Sequence, residues 1–146
     1  MLKPFGITIF CDDVRSEIGG KFTYVGVYSA NLQITGEAPA TLPKLACVIQ
    51  IVIPFGFSFE KFRLVVKMQA EGFERLITEI SSPPPPPVSE QDRVIKQVLN
   101  MIMAPFVVES DGRLMVRAYF DDLEVKLGAL DIKIEAQESS PEAYAG

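Results

Sequence analysis

Hydrophobic and polar residues alternate along several stretches of the chain, with the period of two that is typical of β-strands. The clearest alternation lies in segments 61–69, 113–120 and 130–135. Segment 44–53, KLACVIQIVI, is instead apolar at nearly every position, which predicts a central strand covered on both faces. Counting the remaining apolar runs, we expect about eight short strands separated by turns, and we predict an all-β protein built as an antiparallel β-sandwich.

The segment from Gly6 to Ile34 organises the N-terminal part of the chain. Apolar runs at 7–11 and 22–28 flank a charged region at 12–21. The runs are rich in β-branched and aromatic residues, and Gly19-Gly20 can adopt the positive φ of a tight turn. We therefore predict a hairpin, with the charged region as its turn and the residues up to Ile34 extending its second strand.

Turn chemistry is expected at four further places. The proline-containing segment 35–43 is predicted to be a turn region, and Glu71-Gly72, Asp111-Gly112 and Asp121-Asp122 are each predicted to form a hairpin turn. Gly26 lies inside an apolar strand run, where glycine is unfavourable unless something packs close to it. We expect an aromatic side chain across the sheet, or a bulge, at that position.

Three segments allow more than one interpretation. Residues 94–106 have apolar positions that fit either one face of a helix or one face of a strand. The five prolines at 83–87 predict a stiff loop, with a ligand for a proline-binding domain as the alternative. Residues 136–146 are polar, so we expect a tail that follows a single domain spanning residues 1–135.

Composition narrows the classes of function. The chain has 146 residues, a net charge of −5 and 48% apolar residues. Because no stretch is strongly basic, we do not expect nucleic-acid binding. No apolar run approaches the ~18 residues that span a membrane, and no signal peptide is evident, so we expect a cytoplasmic protein without a membrane partner. In that compartment Cys11 and Cys47 are predicted to be buried free thiols, with a disulfide as the alternative.

The chain contains no histidine, which excludes the commonest general base and every histidine-based metal site. Neither phosphate-binding glycine motif is present. We therefore expect no enzyme activity and no cofactor. The remaining candidate chemistry is carboxylate-based: a calcium site could form if two acidic clusters met at one end of the sandwich. We favour a structural role for these residues, with Arg15 pairing with Asp13 or Glu17. The acidic residues concerned are Asp12, Asp13, Glu17, Asp121 and Asp122.

The N-terminal part of the chain contains a set of residues with a distinctive spacing: Cys11-Asp12-Asp13-Val14-Arg15, Glu17, Gly20-Lys21, Val25-Gly26-Val27-Tyr28 and Leu42-Pro43-Lys44-Leu45. This set resembles the signature of an uncharacterised family of small bacterial and phage β-sandwich proteins. Residues 112–134 are similar to the closing hairpins of that family. The resemblance implies an immunoglobulin-like sandwich and favours a strand over 94–106, whereas the proline run and Met101-Ile102-Met103 depart from the family pattern. It implies no activity.

These observations lead us to expect a non-catalytic interaction module, or a structural subunit of a larger assembly. The resemblance makes a phage- or prophage-derived particle component the most concrete form of this expectation. The alternative is a carboxylate-based module that binds calcium or a membrane surface. Because apolar residues also occur on otherwise polar strand faces and in turns, we predict a homo-oligomer. The predicted contact residues are Phe55, Phe57, Met115 and Tyr119.

Overall fold

A computed structural model of the chain describes residues 2–82, 91 and 93–136. Within these residues there are eleven strands and no helix. The strands, in chain order, are β1 (Phe5–Ser16), β2 (Phe22–Val27), β3 (Asn31–Thr35), β4 (Ala40–Leu42), β5 (Leu45–Pro54), β6 (Phe62–Ala70), β7 (Phe73–Ser82), β8 (Val94–Met103), β9 (Phe106–Val108), β10 (Gly112–Phe120) and β11 (Leu123–Glu135).

Two main sheets form the sandwich. One has four strands in the order β2-β1-β5-β8, and the other has five in the order β3-β11-β10-β6-β7. A third, two-stranded sheet pairs β4 with β9. The predicted all-β sandwich is confirmed. All pairings are antiparallel except that of β3 with β11, which is parallel, and the two three-residue strands account for part of the excess over the predicted eight.

The central position of β5 follows from its composition. It lies between β1 and β8 in the four-stranded sheet, and a continuous apolar strand is stable only where both faces are covered. Its core-facing residues interleave with apolar side chains of β6, β10 and β11. This contact forms the main core, whose fully buried members include Leu45, Ile49, Ile51, Leu64, Val66, Leu114, Val116, Leu127 and Leu130.

Four phenylalanines fill one part of this core. The ring of Phe120 meets Phe57 and Phe59 edge-on, at centroid distances of 5.6 and 4.9 Å, and lies 5.2 Å from Phe62. Edge-to-face packing is the favoured arrangement of aromatic rings, because a positive ring edge then meets a negative ring face. The loop between β5 and β6 is thereby tied to the end of β10.

The predicted N-terminal hairpin is confirmed, because β1 and β2 pair antiparallel. Its predicted turn was too long. β1 continues through the charged residues to Ser16, and the turn occupies only 17–21. The reason is that β1 pairs with β5 only as far as Cys11, while Asp13 to Ser16 pair with β2 alone. This part is a two-stranded ribbon beyond the sandwich, where charged side chains remain in water.

Two other boundaries differ from the prediction. The second hairpin strand ends at Val27, and Asn31–Thr35 crosses to the other sheet as β3. The predicted turn region 35–43 contains the short strand β4. In both cases partners distant in the chain decide the pairing, since β3 lies beside β11 and β4 beside β9.

The ambiguous segment 94–106 is a strand over most of its length, β8, which pairs with β5 across ten positions. Glu71-Gly72 and Asp121-Asp122 are hairpin turns as predicted. Asp111-Gly112 is not, because β9 and β10 belong to different sheets and the chain crosses between them there. The proline run and residues 137–146 lie outside the described residues.

In the part of the chain that the structure describes, no helix is long and apolar enough to cross a membrane.

Candidate functional site

The N-terminal motif is built around the contact between Asp12 and Gly26. Gly26 has a φ of 68°, which favours glycine, and a Cβ there would lie 2.8 Å from the carboxyl carbon of Asp12. The hydroxyl of Tyr28 donates a hydrogen bond to the same carboxylate. The expected close neighbour of Gly26 therefore exists, but it is a carboxylate and not an aromatic ring. The pKa of Tyr28 is raised to about 12, mainly because the side chain is partly buried and secondly because of its hydrogen bond to Asp12.

Asp13 bonds to a residue that the sequence did not single out as its partner. Its Oδ1 accepts a hydrogen bond from Lys44 Nζ at 3.0 Å and another from the Val14 amide at 2.9 Å. The hydrogen bond from Lys44 is the main reason why the pKa of Asp13 is lowered. The predicted pairing of Arg15 with Asp13 or Glu17 is replaced by this contact, because Lys44 immediately precedes β5 and reaches β1 across the sheet.

The other residues of the motif close the ribbon. The Glu17 amide donates to the Lys21 carbonyl at 2.7 Å, and Gly20 in the turn has a φ of 74°. Arg15 is exposed. The motif thus holds the end of a hairpin in place, which is a structural arrangement.

The two cysteines are both buried and free. Cys47 pairs in register with Phe10, and Cys11 with Ala46, so the two side chains lie on opposite faces of one sheet. A disulfide between them is excluded by this geometry. Burial raises the pKa of both thiols, that of Cys47 to about 12, so they remain protonated at neutral pH.

The acidic clusters that we considered as a calcium site do not come together. Asp121 accepts hydrogen bonds from the backbone amides of Glu60 and Lys61, at 3.3 and 2.9 Å, whereas Asp12 and Asp13 bond to Tyr28 and Lys44. No group of three or more potential metal ligands occurs among residues 2–82, 91 and 93–136.

A cleft with a volume of about 710 Å³ lies beside Asp121. Three of its polar side chains, those of Arg63, Tyr119 and Asp121, form contacts within the fold. Arg63 bonds to Glu79 at 3.3 Å and lies 4.4 Å from the centroid of the Tyr119 ring. The Tyr119 hydroxyl donates a hydrogen bond to Glu124 at 2.9 Å. The pKa of Tyr119 is raised, mainly by burial and secondly by this hydrogen bond. These groups stabilise the sheet. The lining residues are Glu60, Lys61, Phe62, Arg63, Ser81, Ser82, Tyr119, Asp121 and Asp122.

Three of the four predicted contact residues are engaged within the fold. Met115 is only 6% exposed, and its sulfur lies 3.2 Å from the Arg117 guanidinium. Phe57 packs on Phe120, and Tyr119 lies beneath Arg63. Only Phe55 is exposed. The prediction of these contacts was wrong for Met115 because alternation shows which face a residue occupies, but not whether long neighbouring side chains cover it.

The outer face of the five-stranded sheet is the charged face of the molecule. Ion pairs join its strands: Arg113 lies 2.7 Å from Asp131, Arg63 lies 3.3 Å from Glu79, and Lys67 lies 3.5 Å from Glu74. Opposite charges on neighbouring strands give cross-strand pairs that keep a sheet surface solvated. This face is therefore typical of a sheet surface in water.

The outer face of the four-stranded sheet is different, because it is almost entirely apolar. Its members lie in rows across the strands, for example Ile7–Gln50–Val98. Several are well exposed: Phe5 at 61%, Ile7 at 57%, Val27 at 58% and Ile102 at 48%. We call this surface the apolar face. It comprises Phe5, Ile7, Ile9, Cys11, Val27, Ala46, Val48, Gln50, Val52, Val94, Lys96, Val98, Asn100 and Ile102. Cys11, Ala46 and Val48 are fully buried in a small cluster at one end of the face, against which Val14 and Tyr24 also pack.

The sequence contained a signal for this face. β8 has apolar residues at both its odd-numbered and its even-numbered positions, and therefore on both faces of the strand. The same property made segment 94–106 compatible with a helix. Ile95, Leu99 and Met101 pack on the core, while Val98 and Ile102 point outward. β1 has the same property, with Phe10 inward and Ile7 outward. Apolar residues on both faces of these two strands predict a second surface to be covered.

No family model matches the chain, and no match to a curated protein was found.

Proposed function

We propose that the protein is a non-catalytic β-sandwich that acts through protein–protein contact, as an interaction module or as a subunit of a larger assembly. The observation that carries this proposal is the contrast between its two sheet surfaces. The five-stranded sheet presents paired charges to solvent, whereas the apolar face exposes Phe5, Ile7, Val27, Val94, Val98 and Ile102. Contiguous exposed apolar surface beyond a few hundred Å² is typical of interaction sites.

The polar chemistry supports the same proposal. The carboxylates of Asp12, Asp13 and Asp121 accept hydrogen bonds that hold turns and strands. The thiols of Cys11 and Cys47 are buried with raised pKa values. These groups stabilise the scaffold, whereas none of these contacts explains the exposure of the apolar face.

The more specific form of the proposal is a component of a phage or prophage particle that assembles in the cytoplasm. It rests on the sequence resemblance of the segment from Cys11 to Tyr28 and on no other observation. Mass spectrometry of purified particles from the host provides the test, since a particle component co-purifies at fixed stoichiometry with the other particle proteins.

Photo-crosslinking in the host tests the general proposal. A benzophenone amino acid is placed at Ile7 on the apolar face or, as the matched control, at Leu76. Both side chains are 57% exposed on strands, but Leu76 lies on β7 of the other sheet. We expect a discrete protein adduct from position 7 and none from position 76. The absence of any adduct from position 7 would contradict the proposal.

A further inference from the structure

We propose that the apolar face packs against the same face of a second copy of the chain, which gives a symmetric homodimer. This inference rests on the proposed function and names the partner. It places the contact on the four-stranded sheet, away from the Phe55, Phe57, Met115 and Tyr119 set that the sequence alone indicated.

The size of the face fits a small dimer interface. Three strands (β1, β5 and β8) spaced ~4.8 Å apart, with β5 ten residues long at ~3.3 Å per residue, define a surface of about 15 by 30 Å, or roughly 450 Å² if flat. Cys11, Ala46 and Val48 at one end of it are fully buried, so the exposed area comes mainly from residues of β1 and β8. One face is therefore smaller than the ~800 Å² per partner of standard-size interfaces and lies at the low end of the range for specific contacts.

The positions of the polar residues also fit a two-fold contact. Gln50 lies on the central strand β5, between Ile7 and Val98. A two-fold axis near it brings two copies of the same amide together, and an amide both donates and accepts hydrogen bonds. Lys96, the one charged member of the face, lies on the edge strand β8. In the dimer the two lysines are at the rim, where they stay solvated.

The charge distribution permits contact between two copies. Lys96 is the one charged member of the apolar face, so the acidic excess behind the net charge of −5 lies elsewhere on the chain, and two copies approach through surfaces that repel each other little. Two twisted sheets of the same shape pack face to face with strands about 30° apart and side chains interleaved across about 10 Å. An isologous contact provides this match of shape automatically.

Light scattering coupled to size-exclusion chromatography tests the proposal with the full chain at micromolar concentration. We expect twice the chain mass of 16.1 kDa. Ile7→Lys should weaken dimerisation at least about tenfold, because a desolvated and unpaired charge is costly in an interface. Leu76→Lys, the matched control, should remain dimeric. Circular dichroism of all three proteins shows whether each is folded.

Val98→Lys provides a second variant from another strand, should Ile7→Lys fail to fold. A wild-type monomer throughout the micromolar range would overturn the proposal, and so would an unchanged dimer in both folded lysine variants. A wild-type monomer that binds lipid vesicles through Ile7 would also overturn it.

The photo-crosslinking experiment separates this inference from the proposed function. An adduct from position 7 that contains only this chain supports the homodimer. An adduct with a different protein, together with a monomeric purified chain, would refute the homodimer and leave the proposed function standing.

Discussion

Replacing Gly26 by alanine should destabilise the protein through two separable effects. The first is backbone strain, since a φ of 68° costs an L-residue about 1–2 kcal/mol. The second is steric, because the new Cβ would lie 2.8 Å from the carboxyl carbon of Asp12. The carboxylate must move, and its hydrogen bond from Tyr28, worth about 1 kcal/mol, is lost. We expect a loss of about 2–3 kcal/mol in the free energy of unfolding.

Gly20 is the matched control, because its φ is 74° but nothing lies within 4 Å of a Cβ built there. Gly20→Ala should cause the backbone strain alone, about 1–2 kcal/mol. Urea unfolding followed by circular dichroism measures both losses.

A double-mutant cycle with Asp12→Ala isolates the steric effect. Once Asp12 is truncated, Gly26→Ala should cost about 1 kcal/mol less than it does in the wild-type chain, because no carboxylate has to move and the Tyr28 hydrogen bond is already absent. Equal costs in the two backgrounds would refute the reasoning, and so would a Gly26→Ala loss no larger than that of Gly20→Ala.

Three further predictions concern the core, a turn and alkaline pH. Phe120→Ala should reduce the free energy of unfolding by about 3–5 kcal/mol in urea titrations, because it removes the central ring of the phenylalanine cluster. Asp121→Ala should cost about 1–2 kcal/mol through the unpaired Glu60 and Lys61 amides, and Asp121→Asn should recover part of this loss, since its amide oxygen still accepts and asparagine tolerates positive φ. Because the pKa of Cys47 rises from 9.0 to about 12 on folding, its stabilising contribution is complete below pH 9 and is lost as pH rises from 9 to 12. Thermal melts should therefore show a smaller alkaline loss for Cys47→Ala, and an equal loss in both proteins would contradict this cause.

Local pattern was sufficient for those parts of the fold that depend on near neighbours in the chain. Period-two alternation predicted β6, β10 and the end of β11, and the continuous apolar run predicted that β5 would be central. Glu71-Gly72 and Asp121-Asp122 were predicted as hairpin turns because turn chemistry is local. The N-terminal hairpin was predicted for the same reason.

Partners distant in the chain decided the remaining boundaries. Nothing within residues 29–35 indicates that they leave the first hairpin to pair in parallel with β11, 100 residues later. Residues Asp13 to Ser16 belong to β1 because β2 pairs with them. The pairing of β1 with β5 has already ended at Cys11, so these residues lie beyond the covered part of the sandwich. Segment 94–106 is a strand because β5 supplies a ladder for β8, which periodicity alone could not show.

The candidate site depended even more on tertiary structure. The sequence alone identified Asp12, Gly26 and Tyr28 as a motif, but only the fold shows that a carboxylate occupies the space beside the glycine. Met115 appeared exposed because it alternates with inward residues, yet Arg117 covers it. The sequence determined that the chain has more apolar strand residues than one core requires. Only the pairing of β1, β5 and β8 decided that this surplus lies on one sheet face, because cross-strand neighbours exist only once the register is set.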